Sequence, residues 1–509
     1  MTTARTWAVA FSGIAGHLVE VEADLSNQTP GFALVGLADR ALSEAVSRVH
    51  NACKNSGIEL PHRRLTVNLS PASLPKHGSA FDLAIAVAAL STEGAMDAAS
   101  IARTVHIGEL GLDGRLRPVS GVLPAVRAAR EAGFGRVIVP HANLREAELV
   151  TGIDVRGYGC LGEVAAFHGA EVDIPDVEPI RLAEMPAPAA APPDLSEVVG
   201  QPEAVSALLV AAAGGHNMLL SGPPGAGKTM LARRLPGILP ELDEEEALEV
   251  AAVRSLAGEP IQALGREAPF VAPHHGASLA ALVGGGTRQA RPGAIVRAHR
   301  GILFLDEAAE FSGVALDALR QPLESGTIEI HRAGFIAAFP ARFQLILATN
   351  PCPCGLYGVA GEECICPPSA IRRYAARLSG PLRDRLDIEV HVTRVTSIHA
   401  PALGQGLVST AEAQDRVRLA RSRARERWAG TPWRLNAEIP GSWLRQGEFR
   451  LDRHTRAALD LALQRGSLTL RGYDRVLRLA WTLADLDGET MPALEHVGRA
   501  LFLKKGLVL

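Results

Sequence analysis

The octapeptide Gly222-Pro223-Pro224-Gly225-Ala226-Gly227-Lys228-Thr229 constrains this chain more than any other stretch. Its spacing is G-x-x-x-x-G-K-T. It lies between an apolar run at 217–221, which reads as a short strand, and a run from Met230 onward that starts a helix. A glycine-rich loop in that setting turns its backbone N–H groups inward and cradles phosphates. Lys228 then reaches the β- and γ-phosphates, the Thr229 hydroxyl binds Mg²⁺, and the loop with Met230 encloses the nucleotide, expected to be ATP. A chance glycine-rich turn would not bring the flanking strand and helix with it.

A second motif answers the first about eighty residues later. Ile302-Leu303-Phe304-Leu305 reads as a buried parallel strand, with Asp306-Glu307 at its C-terminal end. Ligands of open parallel sheets bind beyond the carboxyl ends of the strands. Asp306 is therefore placed to hold Mg²⁺, directly or through water, and Glu307 to polarise an attacking water as general base. Acids after a strand are common alone; after a complete phosphate loop they predict nucleotide hydrolysis.

Six cysteines in 509 residues make no disulfide scaffold, yet four of them crowd into Cys352-Pro353-Cys354 and Cys364-Ile365-Cys366. Thiols at this density, in the reducing cytoplasm expected for the chain, suit a tetrahedral structural Zn²⁺. Four sulfurs leave no open position for water, so such a metal shapes a loop and does no chemistry. An iron–sulfur cluster or free thiols stay open as alternatives. Cys53 and Cys160 read as ordinary buried residues.

A formal net charge of −3 excludes a uniformly basic nucleic-acid binder and leaves only local patches for that role. No apolar run is long enough for a transmembrane helix, so no membrane contact is expected. The mildly apolar stretch at 7–14 runs into the alternating residues 17–22 and reads as a strand, not a signal peptide.

The length exceeds what one core supports. Residues 1–170 alternate strands (17–25, 32–35, 65–69, 105–107, 136–139) with helices (40–55, 81–90, 122–131, 163–167). Residues 171–195 form a Pro/Ala-rich connector. Residues 196–394 hold the phosphate loop, and 395–509 read as mostly helical. The helix at 413–428 carries Arg416, Arg418, Arg421, Arg423, Arg425 and Arg427, which either face phosphates or form a solvated surface.

These features resemble the ComM/YifB family of magnesium-chelatase-like AAA+ ATPases. The resemblance is carried by residues 31–37, 66–72 and 74–82, by the phosphate loop and its acids, and by Ser379-Gly380-Pro381-Leu382-Arg383-Asp384-Arg385-Leu386-Asp387. The last is similar to the family's SGPLLDRID segment, with Arg383 where the family has Leu. The resemblance implies an N-terminal α/β domain with the fold of the Lon protease catalytic domain, a P-loop AAA+ α/β core and a C-terminal α-helical lid. It places Val199 and Gly200 at the adenine pocket, Asn350 as the sensor-1 residue orienting the lytic water, and Arg471 as a sensor-2 contact. Arg385 becomes an arginine finger reaching the neighbour's γ-phosphate. Insertions at 269–300 (with Arg288, Arg291, Arg297, His299 and Arg300) and 329–341 (with Arg332 near its tip) become pore loops. The implied assembly is a homo-oligomeric ring, expected to be a hexamer. It would act on single-stranded or branched DNA as a branch-migrating helicase in recombination and natural transformation. A chelatase-like or protein-remodelling ATPase is the alternative.

The Lon resemblance also invites a Ser/Lys protease dyad. The residues speak against it. Alignment of Pro75-Lys76-His77-Gly78 puts Ala80 at the serine position, with Ser79 one place off, and alignment of the segment from Gly108 puts Leu123 at the lysine position. The N-terminal region therefore reads as a non-proteolytic scaffold. Lys76 and His77 become loop residues or contacts to nucleic-acid phosphate. Trp481, where the family has Arg, reads as a packing change.

Overall fold

The computed structural model describes residues 3–36, 44–174, 177–180, 193–285, 291–332, 335–359, 361–395 and 408–505. Leu37, the start of the helix expected at 40–55, most prolines of the connector, Gly286 to Arg288, and the side chain of Arg332 lie outside them.

Two sheets organise the chain. The first has seven strands in the order Gly31–Val35, Arg64–Ser70, Ala15–Ser26, Thr3–Ser12, Thr104–His106, Arg136–Pro140, Asp154–Tyr158. A long antiparallel hairpin, Thr3–Ser12 with Ala15–Ser26, forms its middle, and the three strands beyond it run parallel. The alternation at 17–22 marks the half-buried strand, with Val19 and Val21 fully buried and the glutamates between them more exposed. Helices Ala45–Asn55, Asp82–Leu90, Val122–Glu131 and Leu161–Phe167 pack on this sheet close to their expected positions. The strand Asp154–Tyr158 was not expected; its mixed sequence carries no clean alternation.

The second sheet is fully parallel, in the order Phe270–Val271, Ile302–Leu305, Gln344–Thr349, Met218–Ser221, Ile388–His391. Ile302–Leu305 and Gln344–Thr349 are buried along their whole length, as strands covered on both faces must be. The register aligns Ser221 with Thr349, and Leu305 with Leu347. The phosphate loop, Asp306 and Asn350 therefore leave the sheet at one edge.

The segment 269–300 differs from the expected insertion. Its first residues form the edge strand Phe270–Val271, a pair too short for any periodic signal. Only the rest leaves the sheet, as helix Leu279–Val283, the ribbon Gly284–Gly285 with Arg291–Pro292, and helix Ala294–Arg297. His299 and Arg300 belong to its buried return. Both bind Glu249 of helix Glu244–Leu256, at 3.0 and 2.8 Å, so they anchor the fold and present no charge to a pore. The second expected insertion is the hairpin Thr327–Arg332 with Phe335–Pro340.

The two sheets share packing. Helix Val122–Glu131 meets helix Glu244–Leu256 in a common apolar cluster that includes Leu123, Val126, Ala251 and Ala252. The tip of the N-terminal hairpin leans on the second hairpin. Ser12 Oγ donates to Ile336 O at 2.8 Å, and Ile14 N donates to Ala338 O at 3.2 Å. Between them Gly13 has φ +69, and a Cβ there would lie 1.9 Å from Ala338 O. No side chain fits at that position.

Helices Thr410–Arg427, Ala457–Gln464, Leu470–Asp487 and Leu494–Lys505 form the C-terminal region. Three arginines of the first are structural. Arg421 donates to Ala212 O (3.0 and 2.7 Å) and Arg423 to Asp485 O, each capping the end of another helix, while Arg427 pairs with the buried Asp485 carboxylate. Arg416, Arg418 and Arg425 remain exposed. Trp481 is buried edge-on against Trp428, with Arg427 4.3 Å above its ring, which makes it a packing residue. No helix among the described residues is long and apolar enough to cross a membrane.

Candidate nucleotide site

A cleft of about 450 Å³ opens at the C-terminal edge of the parallel sheet. It is lined by Pro224 to Met230, Asp306, Glu307, Ala348, Thr349 and Asn350. Gly227, at φ +93, starts helix Lys228–Ile238, whose unpaired N–H groups and dipole face the cleft.

Lys228 is almost fully buried. Its ammonium donates to Gly222 O (2.7 Å), Pro223 O (2.9 Å) and Asn350 Oδ1 (3.1 Å). Burial pushes its pKa down, and Asp306 and Glu307 pull it back up. All three donors are engaged, so the loop is pre-shaped around a positive charge. Thr229 Oγ1 donates to Asp306 Oδ2 at 2.7 Å. These two oxygens on the cleft wall are a hard-oxygen pair of the kind that holds Mg²⁺ beside phosphates. Glu307 has left-handed backbone, φ +51, rare for a side chain of this type and frequent where a functional group must be aimed. That turn projects its carboxylate beside the cleft, where His275 Nδ1 meets it at 3.1 Å.

His275 was not foreseen in this role. It lies in the loop after the edge strand Phe270–Val271, with its ring 4.1 Å from that of His274. The signal was available in Pro273-His274-His275-Gly276, but it could be read only once 270–271 was known to be a strand of this sheet.

Other expected site residues lie apart from the cleft within one chain. Val199 is partly buried. A Cβ on Gly200 would contact Val395 at 3.0 Å, and neither residue lines the cleft. Arg471 is exposed in the first turn of helix Leu470–Asp487 and does not line the cleft. The same helix instead sends Arg475 to Asp387, a buried carboxylate that also accepts from Asn217 N at 3.0 Å. Burial alone would raise the pKa of Asp387; Arg475 and His216 overcome it and hold the group well below the usual carboxylate range. Asp387 thus ties the helical region to the strand that feeds the phosphate loop. Arg385 is buried, with its guanidinium on Glu324 and on Pro381 O, and does not reach outward in the single chain.

The four cysteines converge. Sγ–Sγ distances are 3.4 Å (Cys352–Cys354), 3.7 Å (Cys352–Cys364) and 3.6 Å (Cys354–Cys364), and the Cys366 sulfur joins the same cluster. Disulfides would need about 2 Å. A tetrahedron with Zn–S bonds of about 2.3 Å has edges near 3.8 Å, so the donor set fits zinc. The Tyr357 N–H donates to Cys352 Sγ at 3.4 Å, the kind of outer bond that orients a thiolate ligand. The Leu356 N–H is the first of the contacts that draw the Cys354 thiol down to about 6.

Ser79 and Lys76 do not pair with each other. Ser79 Oγ binds the Glu109 carboxylate, and Lys76 is buried and donates to Pro71 O. Lys76 is thus presented neither to Ser79 nor to a phosphate. Leu123 is fully buried in the shared apolar cluster, where a lysine would be costly. Cys53 is a buried thiol that burial pushes up to about 12, as an inert residue should be.

Three family models match the chain. "Magnesium chelatase, subunit ChlI" matches residues 194–400, "Subunit ChlI of Mg-chelatase" matches 21–143, and "Magnesium chelatase, subunit ChlI C-terminal" matches 408–504. An uncharacterized protein of Mycobacterium tuberculosis is 48% identical over 99% of both chains. The competence protein ComM of Haemophilus influenzae is 40% identical over 98% of this chain and 97% of its own. The YifB protein of Escherichia coli is 39% identical over 96% and 94%.

Proposed function

The chain belongs to the magnesium-chelatase-like ComM/YifB family of AAA+ ATPases, and from that membership we propose that it couples ATP hydrolysis to the movement of branched or single-stranded DNA. The observation that carries the hydrolytic half is the convergence of Lys228, Thr229, Asp306, Glu307 and Asn350 on one cleft. Lys228 and the loop N–H groups bind the phosphates. Thr229 and Asp306 would hold Mg²⁺, which neutralises phosphate charge when bound. Glu307 takes the proton of the attacking water, and Asn350, already bonded to Lys228, orients that water. Val199, Gly200 and Arg471 lie off the cleft in the single chain, and their roles, at the adenine and from the lid, would require closure in the assembled ring.

Arg385 completes the site from a neighbouring subunit in a ring, expected to be a hexamer. This requires its release from Glu324, which stands at the root of the second hairpin. The DNA half of the proposal rests on the near full-length similarity to a protein named for competence and on the two ribbons that stand outside the parallel sheet, Gly284–Gly285 with Arg291–Pro292 and Thr327–Arg332 with Phe335–Pro340. The four-cysteine loop is read as a structural zinc site. The N-terminal region, residues 1–170, is read as a Lon-like scaffold without protease chemistry, because Ala80 and Leu123 occupy the dyad positions.

The test is ATP turnover with and without single-stranded and forked DNA, together with strand displacement on the fork. Stimulation and displacement are expected. Turnover indifferent to DNA, with no displacement, would sink the DNA reading and favour the chelatase-like alternative, a remodelling ATPase acting on a protein.

A further inference from the structure

The four-cysteine loop touches the phosphate-binding loop at both of its ends. At the first end Cys352 follows Asn350 by two residues, and Asn350 bonds Lys228. The turn then brings Gly355, at φ +81, onto the P-loop; a Cβ there would lie 2.4 Å from Pro224 Cδ. At the second end Glu362, two residues before Cys364, holds Arg394 at 2.9 Å, and Arg394 Nε donates to Pro224 O at 3.1 Å. One P-loop residue, Pro224, is therefore pressed from one side by the loop's start and tethered from the other to its end.

Both contacts, at Gly355 and Glu362, lie between the two cysteine pairs, so the sulfurs flank them. With the tetrathiolate closed by a soft divalent ion, nine residues between Cys354 and Cys364 are cross-linked and both contacts are fixed. Without the ion the two cysteine pairs are joined by weak thiol contacts, beside a few local turn hydrogen bonds. The exposed Arg394–Glu362 pair is weak by itself, since solvent screens both charges.

We infer that the four-cysteine loop is a metal-dependent strut for the phosphate loop, so that zinc and nucleotide bind with positive coupling. The inference rests on the reading of the cleft as a nucleotide site and adds its regulation: a chain stripped of zinc keeps its nucleotide residues but loses their alignment. Linkage makes the coupling reciprocal, so nucleotide must raise the affinity for zinc by the same factor.

The experiment uses the full chain, as purified and after zinc is stripped by a chelator under reducing conditions and Mg²⁺ is restored. Metal content and far-ultraviolet circular dichroism are checked in each sample, and the affinity for a fluorescent ATP analogue is measured. Stripped protein should bind about tenfold more weakly and recover with one equivalent of Zn²⁺. At equilibrium, ATP should raise the concentration of a colorimetric chelator needed to withdraw the zinc. Gly355→Ala and Arg394→Gln should retain zinc yet bind nucleotide more weakly, and the gap between loaded and stripped forms should narrow. Equal affinity of loaded and stripped protein with unchanged dichroism overturns the coupling, as does failure of the chain to bind zinc. Absence of nucleotide binding in both forms overturns instead the nucleotide reading beneath it.

Discussion

The guanidinium of Arg385 is closed onto the carboxylate of Glu324, 61 positions away in sequence, in the short helix that leads into the hairpin Thr327–Arg332 with Phe335–Pro340. Its Nε is buried without a hydrogen-bond partner among the described residues. An arginine that acts on a neighbour's phosphate must break this pair. Breaking it would free the hairpin's root at the same moment. Arg385→Ala should leave nucleotide affinity within about twofold of wild type and lower kcat by about a thousandfold. Mixed with Lys228→Ala, it should restore turnover at the interfaces that pair an intact loop with an intact arginine. Titration of one variant into the other checks this, and no recovery at any ratio would exclude a shared site.

Glu307 and Lys228 should separate binding from chemistry. Lys228→Ala removes the ammonium that Gly222, Pro223 and Asn350 now hold, and nucleotide binding should be lost. Glu307→Gln keeps the shape and removes the base. It should bind ATP normally and hydrolyse it at least about a hundredfold more slowly. Equilibrium binding beside steady-state turnover distinguishes the two.

His275 holds the Glu307 carboxylate at 3.1 Å. Its loop leads directly into the segment that carries the Gly284–Gly285 ribbon. His275→Ala should change kcat and leave KM nearly unmoved, because His275 touches the base and not the phosphate loop. It should also shrink the difference between basal and DNA-stimulated rates. A pure rise in KM would place His275 in binding instead.

The anchor of the first projecting segment predicts an acid effect. His299, then Arg300, holds the Glu249 carboxylate down to about 2 against the burial that raises it. A carboxylate whose folded pKa lies below its unfolded value stabilises the fold at neutral pH. That stability drains as pH falls from about 4.5 toward 2. After screening it amounts to about 1–3 kcal/mol. Glu249→Gln should lower the thermal midpoint at pH 7 by roughly 2–6 °C. It should also flatten the wild-type decline between pH 5 and pH 3. Parallel declines in the two proteins would remove Glu249 as the cause.

Much of the parallel sheet was legible because its signals are contiguous. Residues 217–229 and 302–307 each carry strand, turn and chemistry in one short run, and the registers of Ser221 with Thr349 and of Leu305 with Leu347 bring them to one edge. Phe270–Val271 was not legible, since two residues have no period. The edge strand belongs to the sheet only through its pairing with Ile302–Leu303. His275–Glu307, Glu324–Arg385 and Asp387–Arg475 were invisible for a related reason: strand order and helix packing bring their partners together. The six arginines of helix Thr410–Arg427 could be sorted only by their neighbours, because a helical face has no meaning until something is packed on it. The cysteine cluster could be read from spacing alone, but its contact with Pro224 could not, because Gly355 meets the phosphate loop from a different strand's turn.

The missing side chain at Gly13 sets a mechanical limit. With Ser12 and Ile14 bonded to Ile336 and Ala338, the N-terminal hairpin is a backstop welded to the outer strand of the projecting hairpin. That hairpin cannot swing about its root without either dragging the seven-stranded sheet along or tearing two hydrogen bonds from it. Any motion of that hairpin is then not that of a fourteen-residue finger, Thr327 to Pro340, but of a third of the chain, for which the N-terminal region is ballast and guide rail.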